Sequence, residues 1–495
     1  MTQLNNHNVG KLGSPIATPD YDRSRITPGI VHIGVGGFHR AHQAMYLDAL
    51  MNRGEALDWG IVGVGVMPGD KRMQQALAAQ DHLYTLVVKH PDGRYEPRII
   101  GSMVNYLFAP EAAEAVIEQM ADPQIRIVSL TVTEGGYNFH PVTGEFDLDN
   151  PQIRDDLAHP TQPSSSFGLV VEALVRRRER GIAPFTVMSC DNIQGNGDVA
   201  KRMFSAYARA RDNALGEWVA DQVAFPNAMV DRITPVTSEA DISELSQHFE
   251  IDDAWPVVCE PFTQWVLEDH FPLGRPALDK VGVQLVDDVE PYELMKLRLL
   301  NASHQALTYF GYLAGYRYAH EVCQDPLFVD FLLGYMREEG SPTLAPVPGV
   351  DLEAYRLTLI ERFANPQIKD TLARLCAESS DRIPKWLVPV IRQQLADGGE
   401  IKRSAAVVAS WARYAEGVDE QGEPIEIVDR LKASLMQVAA NNRTQPTAFV
   451  ENREVFGDLA DQPRFLAAYL EALTSLHERG ARATLEDLVS SIGIQ

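Results

Sequence analysis

The sequence predicts a two-domain protein in which an α/β domain precedes a mostly helical domain. In the N-terminal part, apolar runs of strand length alternate with helical patterns, which favours a parallel sheet. After about Val289, long helical patterns dominate and few runs are typical of strands. The length of 495 residues is consistent with more than one domain, since one domain averages about 150 residues. We place the α/β domain at residues 1–285 and the helical domain at residues 286–495.

The predicted strands of the first domain are short, nearly continuous apolar runs, which are typical of strands buried on both faces of a sheet. They span residues 29–34, 60–66, 84–88, 125–132 and 185–189. Apolar residues at helical spacing predict one helix from about His39 to Arg53 and another from Phe167 to Arg180. Residues 1–28 are polar and contain several prolines, so we expect an irregular arm there.

The second domain is predicted as a succession of helices, because apolar residues recur in it at the helical period. These patterns span residues 292–314, 327–339, 352–363, 368–377, 385–396, 403–414 and 464–480.

Composition excludes several classes of protein. The chain carries 44 basic and 68 acidic residues, a net charge of −24, so phosphate backbones would repel it and we expect no nucleic-acid partner. The four cysteines are scattered, which indicates neither a disulfide framework nor a zinc ribbon. No signal peptide and no apolar run of about 18 residues is evident, so we expect a cytoplasmic protein without a membrane partner.

A glycine-rich loop follows the first predicted strand. It reads Gly34-Val35-Gly36-Gly37-Phe38-His39-Arg40-Ala41 and leads into a predicted helix. Backbone amides at such a strand–loop–helix junction bind the pyrophosphate of a dinucleotide, as in Rossmann-type domains. We expect Gly34, Gly36, Gly37, Phe38 and Arg40 to contact this cofactor. The usual third glycine of the fingerprint is replaced by His39, so the helix must lie farther from the sheet or the loop must differ.

An acidic residue, Asp70, lies just beyond the second predicted strand. A carboxylate there would bind the adenosine ribose and repel a 2′-phosphate, which favours NAD over NADP. The neighbouring Lys71 and Arg72 would partly offset this repulsion, so NADP remains an alternative. A solvated loop aspartate is the simpler interpretation of the same residue.

Four polar residues share one side of the leucine-rich helix that opens the second domain. With about 100° per residue, and Lys296 at zero, Glu293 lies at ~60°, His304 at ~80° and Asn301 at ~140°. Burial among leucines would lower the pKa of Lys296 toward that of a useful base. An asparagine can donate to an alkoxide or carbonyl oxygen, and a neutral histidine can position a hydroxyl. The alternative is a surface helix with solvated charges.

The chain resembles the polyol-specific long-chain dehydrogenases, the mannitol dehydrogenase family, over nearly its whole length. The resemblance rests on the glycine loop with His42, on the helix of Lys296, Asn301 and His304, and on four further motifs. These are Thr133-Glu134-Gly135-Gly136-Tyr137, Ser189-Cys190-Asp191-Asn192, Pro226-Asn227-Ala228-Met229-Val230-Asp231-Arg232-Ile233-Thr234-Pro235 and Glu260-Pro261-Phe262 through Trp265-Val266-Leu267-Glu268-Asp269.

The resemblance implies a Rossmann-type domain, NAD as cofactor and the interconversion of a sugar alcohol and a ketose, D-mannitol and D-fructose in the first place. It implies that Lys296 is the general acid and base, that Asn192 and Asn301 hold the reacting oxygen, and that His304 positions the substrate. It further implies that Glu293 controls a water path to Lys296. Asp231 and Arg374 are implied as polyol contacts.

The family works without metal, so we expect no metal site, and its members are often monomeric. The stretch Ser379-Ser380-Asp381-Arg382 departs from the family pattern, so the resemblance does not predict which residues line the distal substrate pocket. Alternative substrates are arabinitol, sorbitol and, for a fructuronate reductase, a keto-uronate whose carboxylate would need an extra cation. A nucleotide-sensing protein without catalysis is the alternative from another class.

Overall fold

The computed structural model describes residues 1–140 and 143–490. The chain forms two compact units, Met1–Val289 and Glu290–Gln495, which we call the N-terminal and C-terminal units. The N-terminal unit contains sheets and helices, and the C-terminal unit is built from helices. The predicted fold class is therefore confirmed.

The strands of the N-terminal unit are named here in chain order. They are β1 (Thr2–Gln3), β2 (Pro28–Ile33), β3 (Gly60–Gly65), β4 (Tyr84–Lys89), β5 (Tyr95–Ile100), β6 (Met103–Phe108), β7 (Ile127–Leu130), β8 (Thr186–Ser189), β9 (Ala228–Asp231), β10 (Ile251–Asp252), β11 (Val257–Cys259), β12 (Gln264–Glu268) and β13 (Gln284–Val286).

A five-stranded parallel sheet in the order β6-β3-β2-β7-β8 forms the centre of this unit. Strand β6 is not predicted from the sequence, because buried and more exposed residues mix in its short run. The predicted strand at residues 84–88 is present as β4, but it lies in a separate sheet of order β11-β4-β5. The other small sheets are β13-β12-β9 and the pair β1-β10.

Both faces of the parallel sheet are buried. Val31 and Ile33 of β2 point into one apolar cluster, whereas Ile30 points into the cluster on the opposite face. Because each fully buried side chain of this size contributes about 1.5–3 kcal/mol, alternate residues of one strand stabilise the packing on both sides. This explains why the sequence shows continuous apolar runs here.

The helices of the N-terminal unit cover the sheet. They are α1 (Gly37–Ala41), α2 (Gln43–Met51), α3 (Lys71–Ala79), α4 (Ala109–Ala121), α5 (Pro151–Ala158), α6 (Ser166–Glu179), α7 (Asn196–Arg211), α8 (Asn213–Gln222) and α9 (Glu239–Phe249). Short 3-10 turns span Val9–Lys11, Arg23–Arg25, Pro68–Asp70, Glu134–Tyr137 and Leu278–Val281. The single helix predicted from His39 to Arg53 is wrong in one respect: His42, with φ −127° and ψ −95°, interrupts it between α1 and α2.

The C-terminal unit is a helical assembly around one central helix. Its α-helices are α10 (Glu290–Met295), α11 (Ala302–Leu313), α12 (Ala319–Cys323), α13 (Pro326–Gly334), α14 (Leu352–Phe363), α15 (Leu372–Cys376), α16 (Ser379–Trp386), α17 (Val388–Asp397), α18 (Lys402–Tyr414), α19 (Lys432–Ala439), α20 (Arg453–Phe456) and α21 (Pro463–Ser490). Two π-helical segments span Lys296–Asn301 and Tyr335–Gly340, and 3-10 turns span Ser341–Thr343 and Leu459–Asp461.

Helix α11 is buried on almost all sides and packs against α15, α18 and α21. A helix in such a position carries polar side chains only where they have a partner or a function. Within the described ranges, no helix combines the length and apolar character that crossing a membrane requires.

Candidate active site

The glycine loop joins β2 to α1 at the carboxyl end of the central strand. Gly34 has φ +93°, and a Cβ atom there would lie 2.1 Å from the carbonyl oxygen of Thr131. Any other residue would therefore clash with the neighbouring strand segment, so glycine is required.

Gly36 and Gly37 differ from Gly34. A Cβ at Gly36 would meet no atom within 4 Å, and one at Gly37 would make an ordinary contact with Thr234 Cγ2 at 3.5 Å. Phe38 is partly buried and stacks on His42 with ring centroids 4.8 Å apart. The open space at Gly36, directly before α1, leaves room for a pyrophosphate to approach the backbone amides of the loop.

Arg40 turns into the protein. Its guanidinium is buried, donates from Nη1 to the carbonyl oxygen of Trp255 and lies 5.1 Å over the ring of Tyr84. The Tyr84 hydroxyl donates in return to the Arg40 carbonyl at 2.6 Å. These contacts tie α1 to the β11-β4-β5 sheet, so the structure gives Arg40 a structural role beside the predicted cofactor contact.

The histidine that replaces the third glycine is accommodated by stacking. The rings of His39 and His32 lie 3.4 Å apart and 11° from parallel. His32 also bonds Ser129 Oγ at 2.7 Å and Thr131 Oγ1 at 2.9 Å. Burial lowers the pKa of His32 to about 3, and burial together with the charges of neighbouring residues holds the pKa of His39 well below its usual range. The stacked pair is therefore neutral near neutral pH.

Asp70 shapes the turn after β3. One carboxylate oxygen, Oδ2, accepts hydrogen bonds from the backbone amides of Val66 and Met67, both at 2.9 Å. Of its basic neighbours, Lys71 pairs with Glu111. Arg72 lies 4.5 Å over the ring of Trp255. Both cations that could offset a repulsion of phosphate therefore have partners of their own.

Asn192 follows β8 at the carboxyl edge of the sheet, in an exposed position. The preceding Asp191 is buried and accepts from Thr133 N at 2.7 Å, Val132 N at 3.2 Å and the Tyr137 hydroxyl at 2.7 Å. Burial raises the pKa of Asp191, and these donors oppose the shift. The contacts hold Thr133 at φ +64°, a conformation that is strained for this residue.

Asp231 is the buried last residue of β9, opposite Gln264 of β12. The strand β9 and the segment that carries Asn192 are joined by the side chain of Asn196. The Asn196 side chain thus holds together the two backbone segments that carry Asp231 and Asn192.

In the C-terminal unit, Lys296 and Asn301 are the first and last residues of a π-helical segment between α10 and α11. The expectation of one regular α-helix with 100° steps is therefore wrong for these residues. An i→i+5 turn aligns residues five positions apart more closely than an α-helix does, so Lys296 and Asn301 lie closer in rotation than predicted. Such segments are frequent at functional sites.

The polar residues of this helix are mostly buried. Lys296 and Glu293 are each 7% exposed and Asn301 is 4% exposed. Among the residues that the structure describes, Nδ2 of Asn301 has no hydrogen-bond partner. Leaving a buried donor unpaired costs about 1–3 kcal/mol, so this position is suited to an acceptor atom of a ligand.

His304 lies in the first turn of α11 and is partly buried. Its ring centroid is 4.5 Å from that of Phe363, at an angle of 41°. The structure brings Glu293, Lys296, Asn301 and His304 together on one continuous helical segment.

Arg374 lies on α15 and forms a bidentate ion pair with Asp370, with Nε–Oδ1 and Nη2–Oδ2 distances of 2.6 Å. Its side chain is 58% exposed. In the stretch that departs from the family pattern, Ser379 donates to the Cys376 carbonyl and Ser380 to Asp429. These serines therefore hold the C-terminal unit together internally.

No group of three or more His, Cys, Asp or Glu residues in positions 1–140 and 143–490 is arranged to hold a metal ion. Three residues that support the site, Asp191, Asn196 and Thr133, are not predicted as parts of it from the sequence. The Asp-Asn pair that begins two residues after a predicted strand is a sequence signal for Asp191. The role of Asn196 depends on a tertiary contact, which the sequence does not show.

Comparisons with known proteins agree with this architecture. Residues 28–280 match the family described as the mannitol dehydrogenase Rossmann domain, and residues 288–477 match the mannitol dehydrogenase C-terminal domain. The chain is 46% identical over 499 residues to mannitol 2-dehydrogenase of Aspergillus fumigatus, with 99% of each chain covered. It is 46% identical over 481 residues to the enzyme of the same name from Pyricularia oryzae, with 96% of each covered.

Two solved structures are similar over the whole chain. One is the ternary complex of Pseudomonas fluorescens mannitol 2-dehydrogenase with NAD and D-mannitol, with 48% identity, a TM-score of 0.89 and 99% of each chain covered. The other is a substrate-free D-sorbitol dehydrogenase, with 38% identity, a TM-score of 0.91 and coverage of 97% of this chain and 100% of that one. These matches confirm the resemblance drawn from the motifs. The chain belongs to the mannitol dehydrogenase family.

Proposed function

We propose that this protein interconverts D-mannitol and D-fructose, using NAD as the hydride carrier and Lys296 as general acid and base. The chain is an NAD-dependent oxidoreductase that acts on CH–OH groups of polyols. The choice of D-mannitol, the role of Lys296 and catalysis without a metal are the parts that we propose.

The observation that carries the proposal is the buried, unpartnered Nδ2 of Asn301, on the same π-helical segment as Lys296. A dehydrogenase must stabilise oxygen that gains negative charge as the hydroxyl loses its proton. A fixed amide donor in a dry site does this because it needs no reorganisation during the reaction. Its missing partner is, in our proposal, the reacting oxygen of the substrate.

In the direction of oxidation, neutral Lys296 takes the proton of the hydroxyl group. The hydrogen on the same carbon leaves with its electron pair as a hydride, which bound NAD accepts, and a carbon–oxygen double bond forms. In the direction of reduction, protonated Lys296 returns the proton to the oxygen. We assign Asn192 as a second donor to this oxygen and His304 as the residue that positions the substrate.

Glu293 lies one α-helical turn before Lys296 and is equally buried. We assign it the control of proton exchange between Lys296 and water. Asp231 and Arg374 are proposed to contact the hydroxyl groups of the polyol.

The ion pair of Arg374 with Asp370 supports a neutral substrate over a keto-uronate. A guanidinium that already has a bidentate carboxylate partner offers little net charge to a second carboxylate. The unpaired cation that a fructuronate reductase would need is therefore not supplied by Arg374.

For the cofactor, the glycine loop at Gly34 and Gly36 is proposed to bind the pyrophosphate through backbone amides. Asp70 is proposed to bind the adenosine ribose with the carboxylate oxygen that does not accept the two backbone amides of its own turn.

The test is NADH consumption by the purified protein with D-fructose, L-sorbose and D-fructuronate, each with and without EDTA. We expect the highest kcat/KM with D-fructose and no effect of EDTA. A higher kcat/KM with D-fructuronate would assign the protein as a uronate reductase, and loss of activity with EDTA would contradict catalysis without metal.

A further inference from the structure

We propose that Asn196 is a positioning residue that acts through Asn192. The inference rests on the proposed function, because it assumes that Asn192 holds the reacting oxygen. Asn196 itself does not touch substrate in this proposal. It is the first residue of α7 and is 0% exposed.

The side-chain amide of Asn196 is fully used within the protein. Its Nδ2 donates to the carbonyl oxygen of Asp191 at 3.0 Å and to that of Ala228 at 2.7 Å. Its Oδ1 accepts from the backbone amide of Ala228 at 2.9 Å. Asn196 therefore pairs with both backbone groups of Ala228 as a neighbouring strand would, and so anchors itself on β9.

The contact to Asp191 fixes the peptide group that carries Asn192. The carbonyl of Asp191 belongs to the same planar unit as the nitrogen of Asn192, so holding this oxygen sets the orientation of the next residue. The carboxylate of Asp191 holds the same segment from the other direction, through the amides of Val132 and Thr133. The backbone before Asn192 is thus fixed at two points.

Asn192 lies at an exposed position after β8, so the peptide group that precedes it is the part of this segment that the protein interior holds. An amide that is to donate to one oxygen atom must be placed to within a fraction of an ångström, and a displacement of about 1 Å can cost about 100-fold in rate. The hydrogen bond from Asn196 Nδ2 to the Asp191 carbonyl oxygen, which we call the clamp, supplies such placement without touching the substrate.

The variant Asn196→Asp tests the clamp. It retains an oxygen that accepts from Ala228, but it has no donor for the two carbonyl oxygens, and its charge opposes them. The measurement is kcat in four proteins: wild type, Asn192→Ala, Asn196→Asp and the double variant. We expect Asn196→Asp to lower kcat about tenfold in the wild type and less than about twofold when Asn192 is already alanine.

A purely structural role would give the same loss in both backgrounds, and that outcome would overturn the proposal. An unchanged kcat in Asn196→Asp would overturn it as well. If Asn192→Ala itself keeps wild-type kcat, the proposed role of Asn192 fails together with the clamp. If Asn192→Ala loses activity and the loss in the double variant is the product of the two single losses, the role of Asn192 stands and only the clamp is overturned.

The matched control is Asn227→Ala. Asn227 also links α7 to the start of β9, since its Oδ1 accepts from Gly197 N at 2.8 Å and Asp198 N at 3.1 Å. It makes no contact with the Asp191 carbonyl among these bonds. We expect Asn227→Ala to lower Tm and leave kcat within about twofold of wild type. An equal loss of kcat would contradict the proposal.

Asn196→Ser is the second variant in case the aspartate prevents folding. Serine keeps one donor and one acceptor on a shorter side chain, so it weakens the clamp without introducing charge. Its kcat is compared in the same two backgrounds, with the same expected dependence on Asn192. NADH binding, measured by fluorescence titration, is expected to stay within about twofold of wild type in every variant, because the clamp does not touch the glycine loop.

Discussion

Lys296 and Asn301 are the two ends of one π-helical segment, and both side chains are buried. The segment places a proposed base and a proposed oxygen-binding amide on a single rigid element. Since helices and strands hold functional groups more precisely than loops do, the relative placement of the two groups depends little on loop motion.

The first prediction separates stability from activity at Asn301. Asn301→Ala removes a buried donor that has no partner in the described residues and so relieves its desolvation penalty, which means that the free energy of unfolding should stay the same or rise. Turnover should nevertheless fall about 100-fold, as on loss of an oxyanion donor. Urea unfolding and kcat check the two parts.

The control for Asn301 is Asn442→Ala. Asn442 is equally buried, but its Nδ2 donates to the Ala412 carbonyl at 3.0 Å and to Glu416 at 2.9 Å. Its loss should lower the free energy of unfolding by about 1–3 kcal/mol and leave kcat unchanged. A large stability loss in Asn301→Ala with normal turnover would remove Asn301 from catalysis.

The second prediction concerns the proton acceptor. In the proposed mechanism, oxidation requires neutral Lys296, so the rate of oxidation should rise with pH. Reduction requires protonated Lys296, so the rate of reduction should fall with rising pH. Lys296→Ala should remove most turnover in both directions and flatten both profiles. Lys432→Ala, an exposed change in the same unit, is the control and should keep both profiles. If Lys296→Ala retains the rise of oxidation with pH, Glu293 or His304 is the next candidate.

The third prediction concerns the choice between NAD and NADP. The wild type should have a higher kcat/KM with NAD than with NADP. Asp70→Ala and Asp70→Asn should both lower the ratio of the two values about tenfold, which corresponds to the removal of about 1.4 kcal/mol of repulsion. Asp70→Asn keeps an oxygen that can accept from Val66 and Met67, so it removes the charge while preserving the turn. Equal use of both cofactors by the wild type would exclude this role of Asp70.

The fourth prediction concerns acid stability. His32 is neutral in the folded protein because burial lowers its pKa to about 3, whereas an unfolded histidine titrates near 6.5. Below about pH 6.5 the unfolded state binds more protons than the folded state, so the free energy of unfolding decreases as the pH is lowered. His32 alone accounts for about 2 kcal/mol of this decrease at pH 5. The pKa of His39 is also lowered in the folded protein, so His39 adds to this loss of stability at low pH.

His39→Phe keeps an aromatic ring against His32 and removes one titrating group. The free energy of unfolding should then decrease less between pH 7 and pH 5 than in the wild type, as measured by urea titration at both pH values. His159→Gln, a change of an exposed histidine, should leave the difference between the two pH values unaltered. An unaltered difference in His39→Phe would show that this group does not drive the acid effect.

Much of the fold could be predicted because the parallel strands are apolar on both faces. The strands from Pro28 to Ile33 and from Gly60 to Gly65 have almost no exposed residues, so their sequence pattern was unambiguous. Strand β6 escaped prediction because it lies at the edge of the sheet, where Asn105 is exposed and interrupts the apolar run.

The positions of the predicted site residues were less accessible to sequence reasoning. The spacing of Lys296 and Asn301 indicated a shared helix, but nothing in the residue types distinguishes a π-helical segment from an α-helix, because the difference lies in the backbone hydrogen bonds. The clamp at Asn196 joins residues 32 positions apart, which only the folded chain brings together.

The contrast between Gly34 and Gly36 has a consequence for random mutagenesis. A side chain at Gly34 would overlap the Thr131 carbonyl, whereas one at Gly36 would extend into open space. A library sorted for expression level should therefore lose nearly all replacements at residue 34 and keep many at residue 36. The same library sorted for dehydrogenase activity should lose both, so comparing the two sorted populations distinguishes a glycine required by the scaffold from one reserved for the incoming nucleotide.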